Sequence, residues 1–137
     1  MKKLFNIILS AFMAMSIVVL PNSTYAMTKD QEIQPYAVVR TVEVNEYGHQ
    51  TYTLGSEKMY VTVRLQGSYL LTNGNSISNV SLVPTVSYAN SIENPRLTAK
   101  YGKMEKVINS NSIDVTITVL IYENGIYEGI QEYEFTV

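Results

Sequence analysis

Lys58-Met59-Tyr60-Val61-Thr62-Val63-Arg64-Leu65-Gln66 decides the fold class. Met59, Val61, Val63 and Leu65 fall on one side of an extended chain; Tyr60, Thr62, Arg64 and Gln66 fall on the other. Successive side chains of a strand point to opposite faces, so this alternation sets one face against a core and the other against water. Ile113-Asp114-Val115-Thr116-Ile117-Thr118-Val119-Leu120-Ile121-Tyr122 repeats the pattern, with Ile113, Val115, Ile117, Val119 and Ile121 on one face.

Working outward, turn signals divide the rest of the chain. Tyr36 to Val44 reads as a first strand, with Val38, Val42 and Val44 on one face. Asn45-Glu46-Tyr47-Gly48-His49 reads as a turn, Gln50 to Leu54 as a short second strand, and Gly55-Ser56-Glu57 as another turn. After Gln66, Gly67-Ser68 interrupts, Tyr69 to Thr72 resumes, and Asn73-Gly74-Asn75-Ser76 turns the chain. Val80, Leu82, Val86 and Tyr88 share a face in the strand over 79–88. Pro84 cannot donate to a ladder, so that strand lies at a sheet edge or carries a bulge. Asn90 to Pro95 is a loop and Arg96 to Tyr101 a strand, with Leu97, Ala99 and Tyr101 aligned. Gly102 to Ser112 reads as irregular. Asn124-Gly125 predicts a type I′ hairpin turn, because both of its positions need positive φ. Ile126 to Val137 closes the chain, with Tyr133, Phe135 and Val137 inward and a bulge near Gly129.

Seven or eight strands separated by frequent turns, with no helical period, predict an all-β antiparallel sandwich; a small closed β-barrel is the alternative. The closing hairpin, ending Glu132-Tyr133-Glu134-Phe135-Thr136-Val137, resembles the last two strands of many bacterial Ig-like and fibronectin-III-like modules. The resemblance implies an Ig-like sandwich. It is a pattern shared across sandwiches and names no family. Composition agrees on the class: Val, Ile and Thr far outnumber Ala and Leu beyond residue 26, and β-branched side chains suit a pleated, half-buried surface.

The start of the chain reads differently. Met1-Lys2-Lys3 is a short positive segment, Leu4 to Leu20 is apolar but for Asn6, Ser10 and Ser16, and Thr24-Tyr25-Ala26 supplies small residues before a cut. These are the three parts of a bacterial-type secretory signal peptide, read by the secretion machinery and signal peptidase. The apolar run falls just short of the roughly 18 residues of a confident membrane span. The expected organisation is a signal peptide over 1–26, a flexible polar leader over 27–35 and one β-domain over 36–137, secreted after cleavage behind Ala26.

Charge and cysteine content narrow the partners. The chain has net charge −2, and loss of Lys2 and Lys3 with the signal peptide makes it more acidic. With no cluster of Lys or Arg there is no footprint for nucleic acid or an anionic membrane. There is no cysteine, so no disulfide, lipid anchor, thiolate metal site or cysteine nucleophile is available.

Catalytic constellations are equally thin. His49 is the only histidine, which rules out two-histidine zinc sites. Asp30 and Asp114 are the only aspartates a Ser-His-Asp triad could use, and no Gly-x-Ser-x-Gly elbow presents a serine. His49 reads as a polar tip beside Gly48. Glu128, Glu132 and Glu134 share the outward parity of the last strand, where carboxylates discourage edge-to-edge pairing. Asn109-Ser110-Asn111-Ser112-Ile113-Asp114 carries oxygen ligands but one carboxylate, and reads as an ordinary Asn/Ser loop rather than a calcium site. No enzyme, metal or cofactor is expected.

Tyrosine stands out: 11 Tyr against 3 Phe and no Trp. Tyr88, Tyr101 and Tyr133 have core parity. Tyr60 shares the polar face of its strand with Arg64, Tyr122 lies opposite its strand's Ile/Val face, and Tyr127 follows the hairpin. Tyrosine also serves as half-buried filler in small sandwiches. Exposed Tyr with Arg is nevertheless the composition of recognition surfaces, because the ring supplies contact area at low entropic cost. Tyr60, Arg64, Tyr122 and Tyr127 form the candidate recognition patch. The expected function is a non-catalytic binding module for an extracellular protein or polysaccharide, monomeric rather than oligomeric. Alternatives are a secreted effector, such as an enzyme inhibitor or bacteriocin-like toxin, and a small hydrolase.

Overall fold

The computed structural model describes residues 36–137. The signal peptide expected over 1–26 and the leader over 27–35 lie outside the described residues.

Six strands follow one another: β1 Val39–Leu54, β2 Glu57–Thr72, β3 Ser76–Asn90, β4 Leu97–Ile108, β5 Ile113–Glu123 and β6 Ile126–Thr136. There is no helix among the described residues. The strands form two antiparallel three-stranded sheets, β1-β2-β3 and β4-β5-β6. Each sheet is a plain meander, so β2 and β5 are central and the other four strands are edges. The Greek-key connections of Ig and fibronectin III domains require a strand that returns across a sheet; neither sheet has one. The strand order therefore departs from the one the closing hairpin suggested. The barrel alternative is not adopted either, because the six strands make two separate sheets instead of one closed ladder.

Turn residues explain the hairpins. Gly55-Ser56 joins Leu54 to Glu57, and only Gly55 has positive φ (60°), the pattern of a type II′ turn. Asn124 and Gly125 both have positive φ (51° and 83°), as the type I′ expectation requires. Asn73-Gly74-Asn75 links β2 to β3, and the Asn73 side-chain oxygen accepts the Val38 N–H at 2.9 Å.

Six strands replace the expected seven or eight because two glycines mark close packing where turns were expected, and a third marks a bulge. Gly48 lies within β1, opposite Val63. A Cβ there would come within 2.8 Å of Tyr133 Cδ1 and 3.2 Å of Phe135 Cζ, so the glycine lets two β6 rings approach the β1 backbone. Gly67 lies within β2 at φ 146°, where a Cβ would fall 1.8 Å from the Ser81 carbonyl oxygen. Beside it the β2–β3 register shifts between Ser68 and Leu70, with Asn79 left-handed at φ 50°. Gly102 is the unpaired residue where the β4–β5 register shifts, and the strand continues to Ile108 instead of becoming irregular. A further bulge leaves Glu128 unpaired, next to Gly129. Pro84 sits in edge strand β3 opposite Leu65.

One core joins the sheets, an arrangement consistent with a sandwich-like fold. Met59, Val61, Val63 and Leu65 of β2 meet Ile113, Val115, Ile117, Val119 and Ile121 of β5, all fully buried and all in one cluster with Leu97 and Tyr133. Burying each such side chain contributes roughly 1.5–3 kcal/mol. The two alternating runs are thus the two central strands facing each other. The edge strands are less covered: Tyr88 and Tyr101 keep inward parity but remain partly exposed.

Glu57, the first residue of β2, is buried to 1 % exposure. Its Oε1 accepts the N–H of Arg96 at 3.0 Å and of Leu97 at 3.1 Å, and Arg96 Nε lies 3.5 Å from Oε2. Arg96 also pairs with Glu123 at 2.8 Å. A carboxylate from the first sheet thereby anchors the start of the second.

Candidate functional site

The candidate site is the outer face of the first sheet. Strand parity turns Asn45, Tyr47, His49 and Thr51 of β1 outward, next to Gln66, Arg64, Thr62 and Tyr60 of β2 respectively. On the other side of β2, Thr85, Ser87 and Ala89 of β3 stand opposite Arg64, Thr62 and Tyr60. Small neighbours on β3 leave the larger groups standing proud, and Tyr47 and Tyr60 are each about half exposed, at 50 % and 49 %.

These side chains hold one another in place. Arg64 Nε donates to Asn45 Oδ1 at 2.9 Å, which lays the guanidinium carbon 5.3 Å from the centre of the Tyr47 ring. Tyr47 and His49 are parallel to within 7°, their ring centres 6.4 Å apart. His49 Nδ1 lies 3.0 Å from Oγ1 of Thr62, its cross-strand neighbour on β2. Arg64 has no carboxylate partner among the described residues: the ion pairs there belong to Arg96 and Lys103. Its terminal nitrogens therefore remain available as a fork of donors, the geometry that suits a carboxylate. A shallow depression of about 280 Å³ lies beside Tyr60, between His49, Thr51 and Thr62.

The four residues expected to form one patch divide into two pairs. Tyr60 and Arg64 share the face just described. Tyr122 and Tyr127 lie on the second sheet, where they make an edge-to-face pair at 6.1 Å with Lys100 Nζ 5.2 Å from the Tyr122 ring centre. Tyr47, His49 and Asn45 join the first pair instead. The turn expected at 45–49 hid them; the odd-numbered run Glu43, Asn45, Tyr47, His49, Thr51 is the signal that would have placed them beside Arg64. His49 is consequently a mid-strand residue and not a turn tip.

The polar loop over 109–114 is satisfied internally. Asp114 accepts from Asn109 Nδ2 at 2.8 Å and from Thr136 Oγ1 at 2.9 Å, so the 109–114 loop uses its only carboxylate on its own geometry. Among the described residues no three His, Cys, Asp or Glu gather as a metal site would require. Burial pushes the Tyr133 hydroxyl up to about 12. No family model, curated protein or solved structure matches the chain.

Proposed function

We propose that the chain is a small, non-catalytic binding module, exported by a bacterial-type signal peptide cleaved behind Ala26, which recognises an extracellular protein or polysaccharide through the outer face of its first sheet. The observation that carries this reading is the pre-ordered set Asn45, Arg64, Tyr47 and His49. A long Arg side chain on a surface usually keeps its rotamer freedom, and ordering it on binding costs about 0.5–1.5 kcal/mol. Here an amide and an aromatic ring already hold it, with its outer nitrogens free. Planar rings and a donor fork suit a ligand that presents carboxylates on a flat, hydroxyl-bearing or peptide surface. Export is supported by the pattern of residues 1–26.

The test is capture by purified residues 27–137, which contain every residue of the described core. The baits are the producer's cell envelope, a carboxylated polysaccharide such as polygalacturonate, neutral dextran, and secreted proteins of the same culture. The reading expects saturable capture that falls away in Arg64→Ala and Tyr47→Ala. Capture that both variants retain in full would remove this face as the site, and killing or inhibition without any capture would favour the effector alternative.

A further inference from the structure

We infer that the edge of β1, which no other strand among the described residues pairs, joins β1 of a second copy and merges two first sheets into one six-stranded sheet. Edge strands invite such pairing unless something blocks them, the usual devices being proline, bulges and charged side chains. Charged side chains occur on β1, β4 and β6, Arg40, Glu43 and Glu46 of β1 among them, but only β3, β4 and β6 carry a proline or a bulge. Pro84 and the Asn79 bulge interrupt β3. Gly102 bulges β4, which also bears Lys100, Lys103 and Lys106. β6 has the Glu128 bulge together with Glu132 and Glu134, and Gln50 Nε2 caps its Glu132 carbonyl at 2.7 Å. Proline and the C-terminal glutamates, which in the sequence argued for a monomer, thus protect other edges. β1 pairs with β2 without a register shift from Val39 to Leu54 and contains no proline.

Its unpaired groups can be assigned. Leu54 and Glu57 flank a two-residue turn and so exchange both main-chain hydrogen bonds, as alternate pairs do along an antiparallel ladder. At the far end Asn73 N–H donates to the Val38 carbonyl at 2.8 Å, in the same phase. Even-numbered residues therefore bond to β2, and odd-numbered residues from Thr41 to Thr53 direct N–H and C=O to the free edge. A groove of about 380 Å³ runs beside Glu46 to Gln50, with Tyr133 and Phe135 on its other wall.

The occupant follows from self-complementarity. A two-fold axis that keeps outward residues outward pairs residues of equal parity. An axis at Glu43 or at Glu46 sets that carboxylate against itself. An axis at Tyr47 gives the longest register that avoids this, from Arg40 to Leu54. It sets Glu43 opposite Thr51, Asn45 opposite His49, Val42 opposite Tyr52, Val44 opposite Gln50 and Glu46 opposite Gly48, with no like charges directly opposite, the two Glu46 lying diagonally across the axis. The two Tyr47 rings then meet at the axis and the two outer faces become continuous. This pairing does not depend on what, if anything, that face binds.

Sedimentation equilibrium on purified residues 27–137 tests it. The expected result is a concentration-dependent dimer. Thr51→Glu sets a carboxylate against Glu43 twice in each dimer and should raise the dissociation constant about tenfold or more. Adding Glu43→Lys to that variant should restore dimerisation. Thr51→Pro removes only an outward N–H and should yield a monomer with the wild-type circular dichroism; if proline unfolds the chain, the charge pair still decides. A wild-type protein that stays monomeric at every concentration would overturn the inference. So would a dimer that ignores Thr51→Glu, or one that Glu43→Lys fails to rescue.

Discussion

Glu57, buried at the start of β2, accepts the main-chain N–H of Leu97, the first residue of β4, at 3.1 Å. The bond spans the two sheets, and the same oxygen takes the Arg96 N–H. Glu57→Ala would leave a buried N–H without an acceptor. Hydrogen bonds to charged groups contribute about 1.5–3 kcal/mol each, so a loss of about 2–4 kcal/mol in urea unfolding is expected. That is a large part of the roughly 5–15 kcal/mol of a typical domain. Glu57→Gln keeps an acceptor and should lose only about 1 kcal/mol.

Gly67 makes a sharper demand on the backbone. At φ 146°, with a Cβ position 1.8 Å from the Ser81 oxygen, no L side chain fits without displacing β3. Gly67→Ala should destabilise by about 3 kcal/mol or more and lower the unfolding midpoint accordingly. Gly48→Ala meets the edges of aromatic rings, which can shift, and should cost about 1–3 kcal/mol.

Tyr133 gives the chain a pH dependence at the alkaline end. Its hydroxyl is held neutral by burial, to about 12 against an ordinary value of 10.0. The unfolded chain releases this proton first, so the contribution is fully present below about pH 10 and is lost as pH rises toward 12. Spectroscopic titration of tyrosinate should show one late-titrating group that disappears in Tyr133→Phe, together with its share of the alkaline loss of stability.

The outer face should behave in the opposite way from these interior positions. Arg64 over Tyr47 is an exposed cation–π contact, worth about 0.5–1 kcal/mol. Arg64→Ala and Tyr47→Ala should therefore unfold within about 1 kcal/mol of the wild type in urea. Any loss of capture by these variants then reports on recognition and not on folding.

The parts legible in the sequence are those where one face of a strand is wholly apolar. β2 and β5 are central strands with full cover, so Met59 to Leu65 and Ile113 to Ile121 alternate without exception. β1 hides because its inward side carries Glu46, Gly48 and Gln50, the space there being filled by Tyr133 and Phe135 from the other sheet. The same concealment moved Tyr47 and His49 out of the candidate site, although Tyr60 and Arg64 were readable from β2 alone. β4 beyond Gly102 is an edge whose inward positions include Lys106, and alternation fails there for want of cover. Glu57 gave no local sign at all, since its partners lie 39 and 40 residues away.

The most direct measurement is a binding titration on whichever bait the capture experiment retains, comparing wild type, Arg64→Ala, Tyr47→Ala and Tyr122→Ala. The account predicts that the first two variants lose at least about tenfold in affinity while Tyr122→Ala, on the other sheet, binds as wild type. Loss confined to Tyr122→Ala, with Arg64→Ala and Tyr47→Ala unchanged, would contradict it.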